Sequence, residues 1–459
     1  MCWDLQMKHL NSVIEKYVEL TPRSREIWES AKQYLPGGDS RNSIFWDPYP
    51  IYIKSARGPI VTDVDDMQRV DFINTMTTMI LGHAFSPVMD AVSSQLKNGV
   101  AYNAPNSHQI RLAKILCERV PSFDRVRFTN SGTEATMNTI RAARAFTGRT
   151  LFAKAEGGYH GTHDAVSVSV KVKVEHAGES DNPVALPSTE GLPDEVLDQV
   201  IVFPFNDVEG ARKILEEHKN QLAAVIIEPV LGSVGMVPAT YEFLEMLRNF
   251  TWQHSIVLIF DEVISYRVTD GGSQKFFGVT PDMTSLGKII GGGFPIGAFG
   301  GRKDIMDLYD PTGGLEMGME PSIGPHVSHA GTFNANPVTM LAGSVTLDHL
   351  TDDIYESLAS NTEILRQGIR DVCAELEIPV QVTGIGSLFG IHFNDVPINN
   401  YRDIASSDTN IRRKVFLGLM NEGILIAPNL VGALSTEIGG NEIKLFVEKF
   451  KLVLSKSGI

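Results

Sequence analysis

The sequence predicts an α/β fold, with a large domain built on a mostly parallel sheet and a second, smaller α+β domain. Three observations lead there. From about residue 75 to 335, short apolar runs alternate with stretches of helical periodicity, the pattern of a parallel sheet covered by helices. Residues 51–73, "IYIKSARGPIVTDVDDMQRVDFI", instead alternate β-branched residues with turn signals, as short antiparallel strands do. Beyond residue 340, helical patterns surround "PVQVTGIGSLFGIHF" (379–393), read as strand, turn and strand, and "EGILIAP" (422–428), read as one more strand. The expected division is residues 1–74 for an amino-terminal helix and strands that pack with the small domain, 75–335 for the large α/β domain, and 336–459 for the small domain.

Composition narrows the function classes. A chain of 459 residues, 43% of them hydrophobic, is long enough for two or three domains with sizeable cores. Forty basic residues against 55 acidic ones give a net charge of −15, which argues against nucleic-acid and anionic-membrane partners and obliges any anionic ligand to find a local positive site. Cys2, Cys117 and Cys373 are too widely spaced for a zinc site or a disulfide framework, so a reducing compartment and no metal are expected. The first residues alternate charged and apolar groups at helical spacing and lack the apolar core of a signal peptide. With no stretch near the roughly 18 apolar residues of a membrane span, a cytoplasmic location is expected.

Along the large domain, "RFTNSGTEATMNTIRAARAFTG" (127–148) places Ser131 three residues before Glu134, a capping box, and continues through Ile140, Ala143 and Phe146 to a stop at Gly148. The spacing fits an ordinary capped helix. It also fits a phosphate site made by the amides of Ser131, Gly132 and Thr133, since a helix amino terminus binds anions without a basic side chain. "EGGYHG" then supplies Tyr159 and His160. Residues 168–200 are long, polar and proline-containing, as lids and mobile loops are. "LAAVIIEP" closes on Glu228 and "SIVLIFDEV" on Asp261 and Glu262, acids at strand ends where open α/β sheets bind ligands. "PDMTSLGKIIGGGFPIGAFGGR" (281–302) sets Lys288 among small and apolar residues. Alone, Lys288 reads as a lysine snorkelling from a glycine-rich turn. A desolvated lysine is also an amine that condenses with aldehydes.

In combination, the capped helix, the aromatic, the strand-end aspartate and the lysine describe a pocket for a flat, phosphorylated, nitrogen-containing aldehyde, which is what pyridoxal 5'-phosphate is. Asp261 would keep the pyridine nitrogen protonated. Val263, two residues on in the same strand, would pack on one face of the ring and Tyr159 on the other. Lys288 would hold the aldehyde as a Schiff base and, once released by an incoming amine, carry the proton between carbon centres.

"FTNSGTEA", "GGYHG", "IFDEVISYR", "TSLGKIIGGGFPIGAFGGR" and "HAGTFNANPVTMLAG" resemble the class III pyridoxal-phosphate aminotransferases of fold type I, in the branch that holds glutamate-1-semialdehyde aminomutase and the β-amino acid aminotransferases. The resemblance runs from about residue 25 to the carboxyl terminus. It implies a homodimer with the active site at the interface, where Thr332 of the "GTF" motif reaches the neighbouring subunit's cofactor phosphate. "PGGDSRNSIFWDPYPIYI" (36–53) resembles the aminotransferases of aromatic β-amino acids, in which the arginine after the serine binds the substrate carboxylate. Arg41 occupies that place, and its planar fork suits a carboxylate. In those enzymes an arginine following the late proline holds the keto acid acceptor, whereas here Asn429 follows Pro428.

The expected function is therefore ping-pong amino transfer from a small amino compound, of β- or aryl amino acid type, to a keto acid. The alternative is the 2,1-aminomutase, whose glycine-serine-glycine lid has no counterpart in "HDAVSVSVKVKVEHAGES". The alternative of another class is a catalytically silent cofactor-binding protein.

Overall fold

The apolar runs that end in acids form the centre of a seven-stranded sheet. The computed structural model describes residues 2–312 and 327–456, and the chain divides into two units: residues 86–355 with 398–405, and residues up to 85 with 356–397 and 406 onward. In the first unit α1 (Ser86–Leu96) and α2 (Ser107–Arg119) precede β1 (Arg125–Thr129), α3 (Gly132–Thr147) and β2 (Leu151–Ala155). There follow β3 (Val200–Phe203), α4 (Val208–His218), β4 (Leu222–Ile227), α5 (Tyr241–Gln253) and β5 (Val257–Asp261). Next come β6 (Met283–Gly287), β7 (Gly297–Gly301), α6 (Pro337–Asp348) and α7 (Tyr401–Ala405).

The strand order is β1-β7-β6-β5-β4-β2-β3. β2 runs parallel to β3 and β4, and β5 parallel to β4 and β6, whereas β7 is antiparallel to both β6 and β1. Every residue of β4 and β5 is buried, which is why these runs are apolar without alternation. Val225, Ile227, Leu258 and Phe260 pack with Phe243 and Leu247 of α5. Ala224, Ile226, Val257 and Ile259 belong to a separate cluster with Ala135, Ile140 and Ala143 of α3. The period-two alternation therefore places Asp261, in step with Val257 and Ile259, on the α3 face of the sheet.

α3 forms as the capping box requires. The Ser131 side chain accepts the Glu134 N–H at 3.2 Å, and Gly148 closes the helix in the left-handed region at φ +68°. The Glu134 carboxylate reaches one residue further back than the motif expects, accepting from the Asn130 N–H at 2.6 Å.

The larger unit extends to residue 355 because α6 is buried on nearly every side, with Val338, Met340, Ala342 and Leu347 enclosed. A side chain at Gly343 would collide with the Ile290 carbonyl. The boundary expected at 335 thus falls too early, and residues 398–405 return to this unit from beyond it. Residues 168–200 are irregular but tied down rather than free. Val168 pairs with Pro187, Gly178–Glu179 pairs with Asn182–Pro183, and the buried Ser169 hydroxyl donates to Val184 O and accepts from Leu186 N.

In the second unit Ile53–Arg57, Ile60–Asp63 and Gln68–Asp71 form the expected antiparallel strands, and Ile424–Leu425 adds to the last of them in parallel. Gln381–Thr383 and Leu388–His392 pair antiparallel, with Val431–Ala433 alongside. Phe72, Phe389, Phe446 and Phe450 centre its core, with ring centroids 4.7 Å apart for Phe72 and Phe446. Among the described residues, no helix is long and apolar enough to cross a membrane.

Candidate active site

Five strand ends of the sheet deliver side chains to one place. Gly132 and Thr133 follow β1, Tyr159 and His160 follow β2, Glu228 follows β4, Asp261 ends β5, and Lys288 follows β6. All of them line a single cavity of about 140 Å³. This is the crevice beyond the carboxyl ends of parallel strands where open α/β sheets bind ligands.

Lys288 enters that cavity from a strained turn, its own φ being +52°. The surrounding glycines permit it. A Cβ at Gly287 would lie 3.3 Å from Val263, and one at Gly292, where φ is +59°, would lie 2.6 Å from the Ala342 carbonyl oxygen. Burial pushes the Lys288 ammonium below the ordinary lysine range, with the Asp261 and Glu228 carboxylates pulling the other way.

Asp261 is held by two donors. Its Oδ1 accepts the Val263 N–H at 3.1 Å, and its Oδ2 lies 2.9 Å from His160 Nδ1. Burial lowers the His160 pKa despite this carboxylate, so the neutral ring donates from Nδ1 and its Nε2 is left as a buried acceptor with no partner among the described residues. The Thr136 hydroxyl on α3 donates to His160 O at 2.5 Å and fixes the backbone from below. Glu228, also buried, accepts from Tyr159 N at 2.7 Å and from Gly232 N at 3.2 Å. Burial and then the nearby Asp261 charge push its pKa well up. Tyr159 remains 37% exposed, presenting a ring to the cavity mouth.

Two expected residues, Val263 and Ser131, sit differently from the sequence reading, and two more, Arg41 and Thr332, are not among those that line this cavity. Val263 lines the cavity, but β5 ends at Asp261, so its side chain is placed by the turn that follows and not by strand alternation. It packs on Gly132, where a Cβ would lie 2.9 Å away. Ser131 does not line the cavity; its hydroxyl makes the expected helix cap. Arg41 belongs to the second unit, exposed in the loop after Gly38, with its backbone N–H bound to Asp39. Thr332 is exposed and lines a separate cavity of about 560 Å³ with residues from Ala101–Asn106. Two lining residues were missed, Gly161 and Ile264, although both lie inside the motifs that carried the reading.

The donor set fits pyridoxal phosphate. The first N–H groups of α3 lack intrahelical acceptors, and the cradle before them stays open because Gly132 and Gly161 carry no side chain; a Cβ at Gly161 would lie 2.6 Å from Thr133 Oγ1. An amine, a carboxylate and an aromatic ring complete the match. No cluster suited to a metal ion occurs among the described residues.

A family model described as aminotransferase class-III matches residues 45–435. A glutamate-1-semialdehyde 2,1-aminomutase of Methanocaldococcus jannaschii is 40% identical over 89% of this chain and 91% of its own. An omega-transaminase from Sphaerobacter thermophilus is 46% identical, with a TM-score of 0.90 over 95% of this chain and 97% of its own. A β-phenylalanine aminotransferase from Variovorax paradoxus is 33% identical, with a TM-score of 0.87 over 98% and 97%. A match spanning most of the sequence, on a fold whose strand ends assemble the amine, carboxylate and helix terminus that the cofactor needs, makes this chain a member of the class III aminotransferases, fold type I enzymes that depend on pyridoxal phosphate.

Proposed function

We propose that the chain works as a transaminase, taking the amino group of a small β- or aryl amino compound and passing it to a keto acid by alternating half-reactions. The observation that carries this reading is the convergence of Lys288, Asp261 and the α3 terminus on one cavity. When bound, the cofactor supplies an electron sink for the charge left on a substrate carbon after its proton departs. Lys288 would hold the aldehyde and would be the base placed to move that proton. Asp261, oriented by His160, holds a proton on the ring nitrogen. The amides of Gly132 and Thr133 would bind the phosphate, Tyr159 and Val263 would enclose the ring, and Glu228 holds the Tyr159 backbone N–H. Arg41 is the proposed carboxylate ligand. The exposure of Thr332 supports a homodimer in which it serves the neighbouring subunit's site.

The omega-transaminase and the β-phenylalanine enzyme favour transfer between molecules. The second reading, a 2,1-aminomutase that keeps the nitrogen within one substrate, has the wider support among curated relatives, which carry that name at 36–40% identity over 89–95% of this chain. Incubation of the loaded enzyme with amino acids, β-amino acids and amines, and separately with glutamate 1-semialdehyde, separates the two when products are identified by mass spectrometry. Release of a keto acid or ketone with bleaching of the visible band is expected. Formation of 5-aminolevulinate without consumption of a second amine would replace the first reading by the second.

A further inference from the structure

The turn that carries Tyr159 and His160 begins "EGG", and the two glycines that let it bend also leave it conformationally soft. Gly157 takes φ +80° and Gly161 φ +108°, so both ends lie in the left-handed region that glycine adopts readily. Thr136 and Glu228 hold its far part, at His160 O and Tyr159 N, and its start at Glu156 and Gly157 needs a hold of its own.

A side chain in position to hold that start is Arg402, more than 200 residues away in sequence. Its Nε and Nη2 pair with the two oxygens of Glu156 at 2.8 and 3.0 Å, a bidentate fork. Its remaining bonds go to the Gly178 and Ala177 carbonyls, at 2.8 and 3.0 Å. The neighbouring Tyr401 donates its hydroxyl to Val172 O at 2.6 Å, and its Cβ lies 2.5 Å from where a Cβ at Gly157 would be. One dipeptide thus grips the start of the cofactor-facing turn and the 172–178 segment together.

α7, which presents Arg402, is only five residues long, too short to hold itself. It is fixed by reciprocal caps. Asn400 Oδ1 accepts the N–H groups of Arg402 and Asp403, and the Asp403 carboxylate accepts those of Asn399 and Asn400. Ile398, Tyr401 and Ile404 anchor the segment in the core beside Ala155 and Phe205. With the Arg402 and Glu156 side chains only 16% and 5% exposed, the pair is shielded from water and held in one geometry.

We infer that Arg402 is a positioning residue for the turn bearing Tyr159 and His160, acting through Glu156; the inference rests on the proposed place of Tyr159 over the cofactor ring. The test titrates cofactor-free chains with pyridoxal phosphate, without substrate. Affinity is read from quenching of protein fluorescence, and the bound geometry from visible circular dichroism. Arg402→Ala should weaken binding by roughly tenfold and alter the dichroism. Arg402→Lys should do the same to a smaller extent, because an ammonium cannot form the fork. Adding Arg402→Ala to Tyr159→Ala should weaken binding by clearly less than it weakens the wild type, since the Tyr159 part of the effect is already lost.

Wild-type affinity and dichroism in Arg402→Ala, beside an impaired Tyr159→Ala, would overturn the role of Arg402 alone. Losses that multiply in the double variant would overturn it too. Wild-type behaviour of Tyr159→Ala would overturn the place given to Tyr159 and this inference with it. Should Arg402→Ala fail to fold, Arg402→Lys decides: unchanged affinity and dichroism there contradict the inference.

Discussion

Two lysines of the larger unit have depressed pKa values, and comparing them supports Lys288 as the proposed reactive amine. Lys154 is fully buried and pushed down to about 7 by desolvation, but its Nζ donates to the Val168 and Ala155 carbonyls and does not line the cavity. Lys288 lines the cavity and faces two carboxylates. Depression alone does not make a nucleophile; access does. Asp261→Asn should reduce turnover roughly 100- to 1,000-fold in steady-state kinetics, because an amide holds no charge against the ring nitrogen. Glu228 gives a pH prediction. Its native pKa lies above the ordinary 4.5, so the native state keeps a proton that the unfolded chain has lost. The stability this contributes to the cofactor-free protein is fully present below about 4.5 and is lost as the pH rises through the raised native value. Thermal melts across pH should show that decline in the wild type, and a flatter profile in Glu228→Gln.

At the scale of elements, α3 is a capped helix whose amino terminus is the proposed anion site, and Ser131 holds the first turn in shape for it. Ser131→Ala removes the cap on the Glu134 N–H and should cost about 1 kcal/mol in chemical denaturation, with weaker phosphate binding following from a frayed first turn. This element was legible because its signals are local: serine, glutamate three residues on, glycine at the end. The strand-end acids were legible for the same reason, since the six apolar residues "LAAVII" in a row mark β4 before any partner is known. Val263 was placed by the wrong rule because sequence alternation does not announce where a strand stops, and β5 stops two residues earlier. The Arg402 clamp was not legible at all. Nothing near "NNYRD" names a partner at Glu156, and only the fold brings the two together.

At the scale of the molecule, the sheet order decides function, because β1, β2, β4, β5 and β6 must all point their carboxyl ends at one cavity for five separate motifs to become one site. The motifs showed what the parts were, while the crossing of β7 between β1 and β6, and the return of residues 398–405, had to come from the structure. Thr332 and Arg41 carry the part of the account that depends on a second copy or on substrate, and Arg41→Ala should raise the Michaelis constant for carboxylate-bearing donors far more than for plain amines. The central claim is that Lys288 is the amine that holds the cofactor. Its most direct measurement is borohydride reduction of the loaded protein followed by peptide mass spectrometry, on the wild type and on Lys288→Ala. A cofactor adduct on the peptide spanning Lys288 is expected in the wild type and none in the variant; an adduct on Lys154, or one that persists in Lys288→Ala, would contradict the role given to Lys288.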